Sequence, residues 1–241
     1  QAVGKLVGTP LDGSLTVDGK VTGNRPSLTT TGTVKGSNLT VGGFQTLTAE
    51  STYNATVPDL AADKANVRAE SRFGFIKVGG LDITSLGATT TYTTGKLEFD
   101  TTGKAAARNA RLVGTLLVHP DHQEVHLTQF GFETQGLRWT LGEGAKPTVQ
   151  YGGGNIVVKD LRLVSGPQTL AADGRIGEKD SSLRAALTDV DLGRVDTWLV
   201  GERRLGGVLN AAVNVTGPQT ALKVQGDFSI DGGSFRDFKY E

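Results

Sequence analysis

With 25 Lys+Arg against 25 Asp+Glu in 241 residues, the chain is neutral and long enough for one large β domain or two smaller ones. Neutrality and the lack of a basic stripe exclude an ordinary nucleic-acid binder, which needs clustered cations to neutralise phosphates; the densest basic pair, Arg203-Arg204, has Glu202 beside it. Cysteine is absent, which excludes a disulfide framework, a thiolate metal site and a cysteine nucleophile, and suits an oxidising compartment.

Period-two alternation, the signature of strands with one dry face, runs along nearly the whole chain. Leu15, Val17 and Val21 share one parity while Thr16, Asp18, Lys20 and Thr22 take the other. Leu39 with Val41, Val67 with Phe73, Leu81 with Ile83, Leu97 with Phe99, and Leu112 with Leu116 and Val118 continue it. Then follow Val125 with Leu127, Leu137-Trp139-Leu141, Ile156 with Val158, and Leu161 with Leu163. The last third is cleanest, with Leu170, Ala172 and Ile176; Leu183, Ala185 and Leu187; Leu209, Ala211, Val213 and Val215; and Leu222, Val224, Phe228 and Ile230. Turn chemistry is expected at Asp12-Gly13, Asp18-Gly19, Gly42-Gly43, Gly79-Gly80, Gly152-Gly153-Gly154, Asp173-Gly174 and Asp231-Gly232.

One segment breaks the period. After Asp191, Leu192, Val195, Trp198 and Leu199 fall at helical spacing, with Asp191 placed as the cap and Gly201 as the stop. A short helix over 192–200 is expected, docked through its Trp198 stripe, because two or three turns are marginal alone. Leu60–Asn66 is a weaker candidate, read as loop or strand start.

A hydrophobic fraction of 37% with 6% aromatics is low for a thick core. Strict placement of those residues argues against disorder and for extended sheet around a thin or open interior. A chain opening at Gln1, with no methionine and no signal-peptide apolar region, reads as a piece of a longer polypeptide. No apolar run approaches the roughly 20 residues needed to span a bilayer, so a membrane anchor is expected outside it. Degenerate internal similarity supports repeated β units: Gly42-Gly43-Phe44-Gln45-Thr46-Leu47, Gly166-Pro167-Gln168-Thr169-Leu170 and Gly217-Pro218-Gln219-Thr220 each place a turn before a strand.

From Ile156 to Tyr240 the order of elements is more specific. Val158-Lys159-Asp160-Leu161-Arg162-Leu163 leads through Gly166-Pro167 into Asp173-Gly174-Arg175-Ile176. Val190-Asp191-Leu192-Gly193-Arg194-Val195 and the helix follow, then Leu205-Gly206-Gly207-Val208-Leu209, Val215-Thr216-Gly217-Pro218 and Ile230-Asp231-Gly232-Gly233-Ser234-Phe235. This stretch resembles the C-terminal portion of TamB-type chains in the TamB/AsmA-like family of bacterial envelope proteins. Residues 1–155 match only in style. The resemblance implies a β-taco, a long curled sheet with an apolar lining, in a periplasmic bridge anchored in the inner membrane and meeting an outer-membrane partner. It also implies a link to phospholipid transport and outer-membrane protein assembly, and it carries no catalytic residues.

Several tempting sites have simpler readings. His119-Pro120-Asp121-His122-Gln123-Glu124-Val125-His126 holds all three histidines, but on a strand His122 and His126 stand about 13 Å apart, so a solvated hairpin tip is expected and no metal is assigned. Gly152-Gly153-Gly154 precedes a strand and not a helix, so it reads as a turn or bulge, not a phosphate cradle. No Gly-x-Ser-x-Gly elbow supports a hydrolase. The Asn38, Asn54 and Asn214 sequons are expected by chance in a Thr-rich strand protein, and Trp139 and Trp198 read as core or groove wall.

The fold class expected is therefore all-β: an elongated, curled sheet with an apolar interior and one inserted helix, with 1–155 as β-groove repeats and 156–241 as the TamB-like segment. The function expected is a non-enzymatic periplasmic module that accommodates acyl chains of phospholipid, without cofactor or metal. Its lining would be Leu170, Ala172, Ile176, Leu183, Leu187, Leu209, Val213, Val215, Leu222, Val224, Phe228 and Ile230. The alternatives are a structural or adhesive β-solenoid of the autotransporter-passenger kind, and a polysaccharide-active enzyme on a β-helix, which needs clustered carboxylates where these charges are scattered.

Overall fold

The computed structural model describes residues 11–24, 26–61, 64–134, 136–194, 205–235 and 238–239. These form two compact units, within residues 1–117 and 118–241, and both are antiparallel β-sheet. Residues 118–155 thus cluster with the segment that carries the family resemblance.

Unit 1 is a meander of β1 (Leu11–Asn24), β2 (Ser27–Val41), β3 (Phe44–Pro58), β4 (Asn66–Val78), β5 (Leu81–Thr93), β6 (Lys96–Ala105) and β7 (Arg108–Val118). Thr, Val, Tyr and Phe, which fit a pleated half-buried surface, fill these strands. Two-residue turns at Gly79-Gly80 and Thr94-Gly95 place both central residues at positive φ, the hairpin geometry that matches strand twist. Register carries parity across the sheet. Leu15, Gly36, Ala49, Phe73, Leu86, Gly103 and Ala110 form one cross-strand row, and Val21, Thr30, Ala55, Val67, Tyr92, Leu97 and Leu116 another.

Unit 2 comprises β8 (Gln123–Thr134), β9 (Leu137–Leu141), β10 (Thr148–Gly152), β11 (Asn155–Ser165), β12 (Gln168–Gly177), β13 (Ser182–Asp191), β14 (Leu205–Thr216), β15 (Lys223–Phe235) and β16 (Phe238–Lys239). β9 and β10 share one strand position between β8 and β11, since each pairs with both. The loop 142–147 interrupts that position and is held down by its backbone. Gly142 N–H donates to Arg162 O (2.8 Å), Leu127 N–H donates to Pro147 O (3.0 Å) and Lys146 N–H donates to Asp160 Oδ2 (2.6 Å).

Gly42-Gly43, Gly79-Gly80 and Gly153-Gly154 are turns as expected, but Asp12-Gly13, Asp18-Gly19, Asp173-Gly174 and Asp231-Gly232 lie inside strands β1, β12 and β15. The correction has a physical reason: a bulge and a turn ask for the same residues. At Gly13 (φ 108°) the β1/β2 register shifts. At Gly19 the need is space, because a Cβ there would stand 2.9 Å from the Tyr53 hydroxyl.

Bulges also explain why the period slips without the apolar face being lost. Asp160 (φ 50°) sits where β11 shifts between Val158 and Leu161, and Asp189 (φ 53°) where β13 shifts between Leu187 and Val190. In each case the extra residue returns the next apolar side chain to the same face.

Residues 192–194 are helical, and Arg194 N–H donates to Asp191 Oδ1 (3.3 Å), so Asp191 caps as expected. The remainder of the expected helix over 192–200, with Trp198, lies outside the described residues. At Leu60–Asn66 the described residues are turn and loop until β4 begins, with Asp59 and Leu60 at positive φ. The three similar segments do sit at the β2–β3, β11–β12 and β14–β15 connections. They are not equivalent: Gln168 is buried, accepts from Asp191 N–H (3.1 Å) and donates to Ser165 O (3.4 Å), whereas Gln219 is exposed in a 3-10 turn, Gln219–Ala221.

Little is fully buried. Among the described residues the buried apolar side chains are Leu39, Ala55, Ala65, Ile76, Leu137, Pro147 and Val190, while Val17, Val21, Val224 and Phe228 are each more than 60% exposed. The low hydrophobic content matches a sheet in which few side chains are fully buried.

Candidate functional site

In unit 2 the register assembles a sheet face that is apolar strand after strand. Leu141 opposes Leu163, which opposes Leu170, then Leu187, Ala211 and Phe228. One row along, Val190 opposes Leu209 and Leu209 opposes Ile230. In the other direction Leu161, Ala172, Ala185, Val213 and Gly226 align, then Val125, Val149, Val158, Gly174, Leu183, Val215 and Val224. Every residue of the expected lining belongs to this face except Leu222, which precedes β15 as the C-cap of the 3-10 turn and is 41% exposed. Turn residues end the alternation there, so parity alone misplaces it.

The face deepens at one place into a recess of about 400 Å³, where β8, β9, β11, β12, β13 and β14 contribute walls. Leu170, Leu187 and Leu209 of the expected set line it, and Leu192 adds the first helical turn. Phe130, Phe132, Leu137, Trp139, Leu163 and Val190 add to the apolar wall, with Thr134 the one polar residue among the described residues. Phe130 and Phe132 were not singled out in the sequence, although their spacing across Gly131 is itself a period-two signal. Trp139, read as core or groove wall, opposes Phe132 and lines the recess. Val190 was hidden by the bulge at Asp189, which changes its parity.

Among the described residues no charged side chain lines this recess, and no buried side-chain nitrogen or oxygen lacks a hydrogen-bond partner. An occupant would therefore be selected by apolar area and shape, with no buried polar group directing it. The opposite face differs in kind. Asp173, Arg184, Asn214 and Gln225 align across it, and Arg175 pairs with Asp180 at 2.8 Å.

Unit 1 has the same two-faced plan, and the face that carries Leu15 and Phe73 is more mixed. Ser51 and Ser71 share a hydroxyl hydrogen bond there (2.9 Å), and Thr30 meets the Tyr53 hydroxyl at 3.3 Å. Its other face holds a polar depression of about 500 Å³ with Glu50, Glu70, Arg72, Asp100 and Arg111. The Arg111 guanidinium grips Asp100 through two bonds (3.1 and 2.8 Å) and holds its carboxyl below the usual carboxylate range.

The histidine segment is more organised than a solvated tip. His119 N–H donates to His122 O (2.9 Å), closing the turn through Pro120 and Asp121, and the two imidazoles stack at 4.5 Å with 22° between their planes. Glu124 lies between His122 Nε2 (3.1 Å) and His126 Nε2 (3.0 Å). Asp121 Oδ1 is 2.9 Å from His122 Nδ1. The Asp121 carboxylate chiefly raises the His122 pKa above its ordinary value, and hydrogen bonds from His126 and His122 lower that of Glu124. Spacing along one strand, used to separate His122 from His126, overlooks the pair brought together across the turn and the i, i+2 carboxylate on the same face.

Against family models, curated proteins and solved structures, the chain gives no match. The likeness to TamB/AsmA-like proteins accordingly rests on the residues quoted for it.

Proposed function

We propose that unit 2 is a lipid-accommodating module whose apolar face receives the acyl chains of phospholipids, in a periplasmic TamB-like protein serving the outer membrane. The observation that carries this reading is the recess of about 400 Å³, walled by aliphatic and aromatic side chains with Thr134 as the only polar contributor among the described residues. An acyl chain asks for such a wall, since each methylene removed from water gains about 0.8 kcal/mol. The half-exposed apolar rows on either side supply further surface along which such a chain could lie, so the proposal extends to the curled, groove-like sheet of the family. Head-group selectivity is expected to be low, since among the described residues no cluster of charge lines the recess. Anchoring in the inner membrane and an outer-membrane assembly partner belong to the same proposal and rest on the family resemblance alone.

The antiparallel pairing of successive strands weighs against the rival β-solenoid, whose coils stack strand upon like strand. Mass spectrometry of organic extracts from the purified protein, with uptake of a fluorescent fatty acid, tests the proposal. Co-purifying phospholipid and saturable uptake are expected; absence of both would overturn it.

A further inference from the structure

We propose that His119, His122 and Glu124 form a site for one divalent transition-metal cation of the zinc class, at the turn that leads into β8. Each residue offers one ligand atom, and the three atoms all lie within 4.8 Å of one another. A tetrahedral ion with ligands at about 2.0–2.2 Å holds its donors roughly 3.4 Å apart. The rearrangement required is therefore a closing of at most about 1.4 Å, within reach of side-chain rotation at a half-exposed turn.

Three features distinguish this cluster from a chance meeting of polar groups. The first is the backbone. The His119 N–H to His122 O bond (2.9 Å) makes these residues the closing pair of a tight turn, so both imidazoles leave the chain side by side and stack. Glu124, two residues after His122, falls on the same side of β8 and reaches the same point.

The second is the set of supporting contacts. Metal-bound histidines usually engage their other ring nitrogen with a carboxylate or carbonyl, which fixes the tautomer and the ring plane. Here Asp121 Oδ1 meets His122 Nδ1 at 2.9 Å, which leaves Nε2 as the ligand atom. Glu124 is oriented in the same manner: one oxygen faces His122 Nε2, while the other is held by His126 Nε2 (3.0 Å). The His126 ring is in turn steadied at Nδ1 by the Thr148 hydroxyl (3.2 Å) across the β8/β10 ladder.

The third is charge. Two carboxylates, Asp121 and Glu124, face imidazoles that are neutral when they act as ligands, so a dication balances the cluster. Imidazole nitrogen with carboxylate oxygen, and no thiolate, suits zinc, nickel or copper more than calcium or magnesium. Three protein ligands leave a fourth position for water or for a group on a partner. The ion would pin the turn to the start of β8, and the site is independent of the apolar recess.

Isothermal titration of the untagged full chain with zinc chloride tests this, alongside cobalt(II) absorption as a report on ligand geometry. One ion per chain and a tetrahedral cobalt spectrum are expected. His119→Ala, His122→Ala and Glu124→Gln should each weaken zinc binding at least tenfold, and Asp121→Asn roughly tenfold by loosening His122. Far-UV circular dichroism and fatty-acid uptake, both expected to be unchanged, show that the variants remain folded. Absence of saturable zinc binding at 100 µM, or unchanged stoichiometry and affinity in the His119→Ala/His122→Ala/Glu124→Gln variant, would overturn the assignment.

Discussion

Leu187→Asp is the most informative single perturbation of the proposed lipid site. Leu187 lies in β13 between Leu170 and Ala211 in register and contributes to the recess wall. It is only part-buried in the free protein, so losing its present contacts costs about 1 kcal/mol of stability, half or less of a fully buried leucine, and the sheet should fold. With an acyl chain in the recess the balance changes. The remaining leucine surface would be covered in the wild type, whereas a carboxylate under hydrocarbon loses water without gaining a partner. Together these effects weaken binding by about 3 kcal/mol, or about a hundredfold. The control is Ala186→Asp, which puts the same charge one residue away, on the opposite face between Ala171 and Ala212. Titration of a fluorescent fatty acid should give a loss of about a hundredfold for Leu187→Asp and less than threefold for Ala186→Asp. Equal losses in the two variants, or an unaffected Leu187→Asp, would refute the argument that this face and this recess hold the ligand.

Three further expectations concern the scaffold. Gln168→Leu strips the buried partner from Asp191 N–H and should destabilise unit 2 by about 1–3 kcal/mol in urea, whereas the exposed Gln219→Leu should stay within about 0.5 kcal/mol. Gly174→Ala places a Cβ against the Ser182 carbonyl oxygen at φ 130°, and should cost about 2 kcal/mol; Gly103→Ala, whose Cβ would meet only Leu86 Cδ1 at 3.7 Å, should be nearly neutral. Asp100→Asn removes a carboxylate whose pKa is depressed by Arg111. Its contribution is present above the unfolded value of about 3.9 and disappears as pH falls through the lower folded value. The small melting-temperature gap between Asp100→Asn and wild type should therefore close in acid, and narrow in high salt because the pair is exposed.

Much of the fold was legible because a one-sided sheet writes its faces directly into residue parity. The rows through Leu15, Val67 and Leu97, and those through Leu170, Leu187 and Val213, follow the alternation in the sequence. What parity could not supply was register and its local slips. Asp160 and Asp189 each insert a residue at positive φ, so Leu161 and Val190 fall on the face that strict alternation denies them. Asp-Gly pairs misled for a related reason, since Asp173-Gly174 satisfies a twisted strand as well as it would a turn. β10 escaped notice because Val149 and Tyr151 form a pattern too short to stand apart from its flanking glycines. The recess depended on pairings remote in sequence, such as Leu170 with Leu187 and Val190 with Leu209, and no spacing rule encodes those. Asp191 was the reverse case: its cap is local chemistry, and the sequence alone located it.

The central claim is that one face of unit 2 holds acyl chains and the other does not. Photolysis with a phospholipid bearing a diazirine on its acyl chain, followed by peptide mapping, tests this most directly. The account predicts adducts on Leu170, Leu187, Leu209 and the aromatic wall of Phe130, Phe132 and Trp139, with none on Ala171, Ala186 or Ala212. Adducts spread equally over both faces, or none above the level of an unrelated protein, would contradict it.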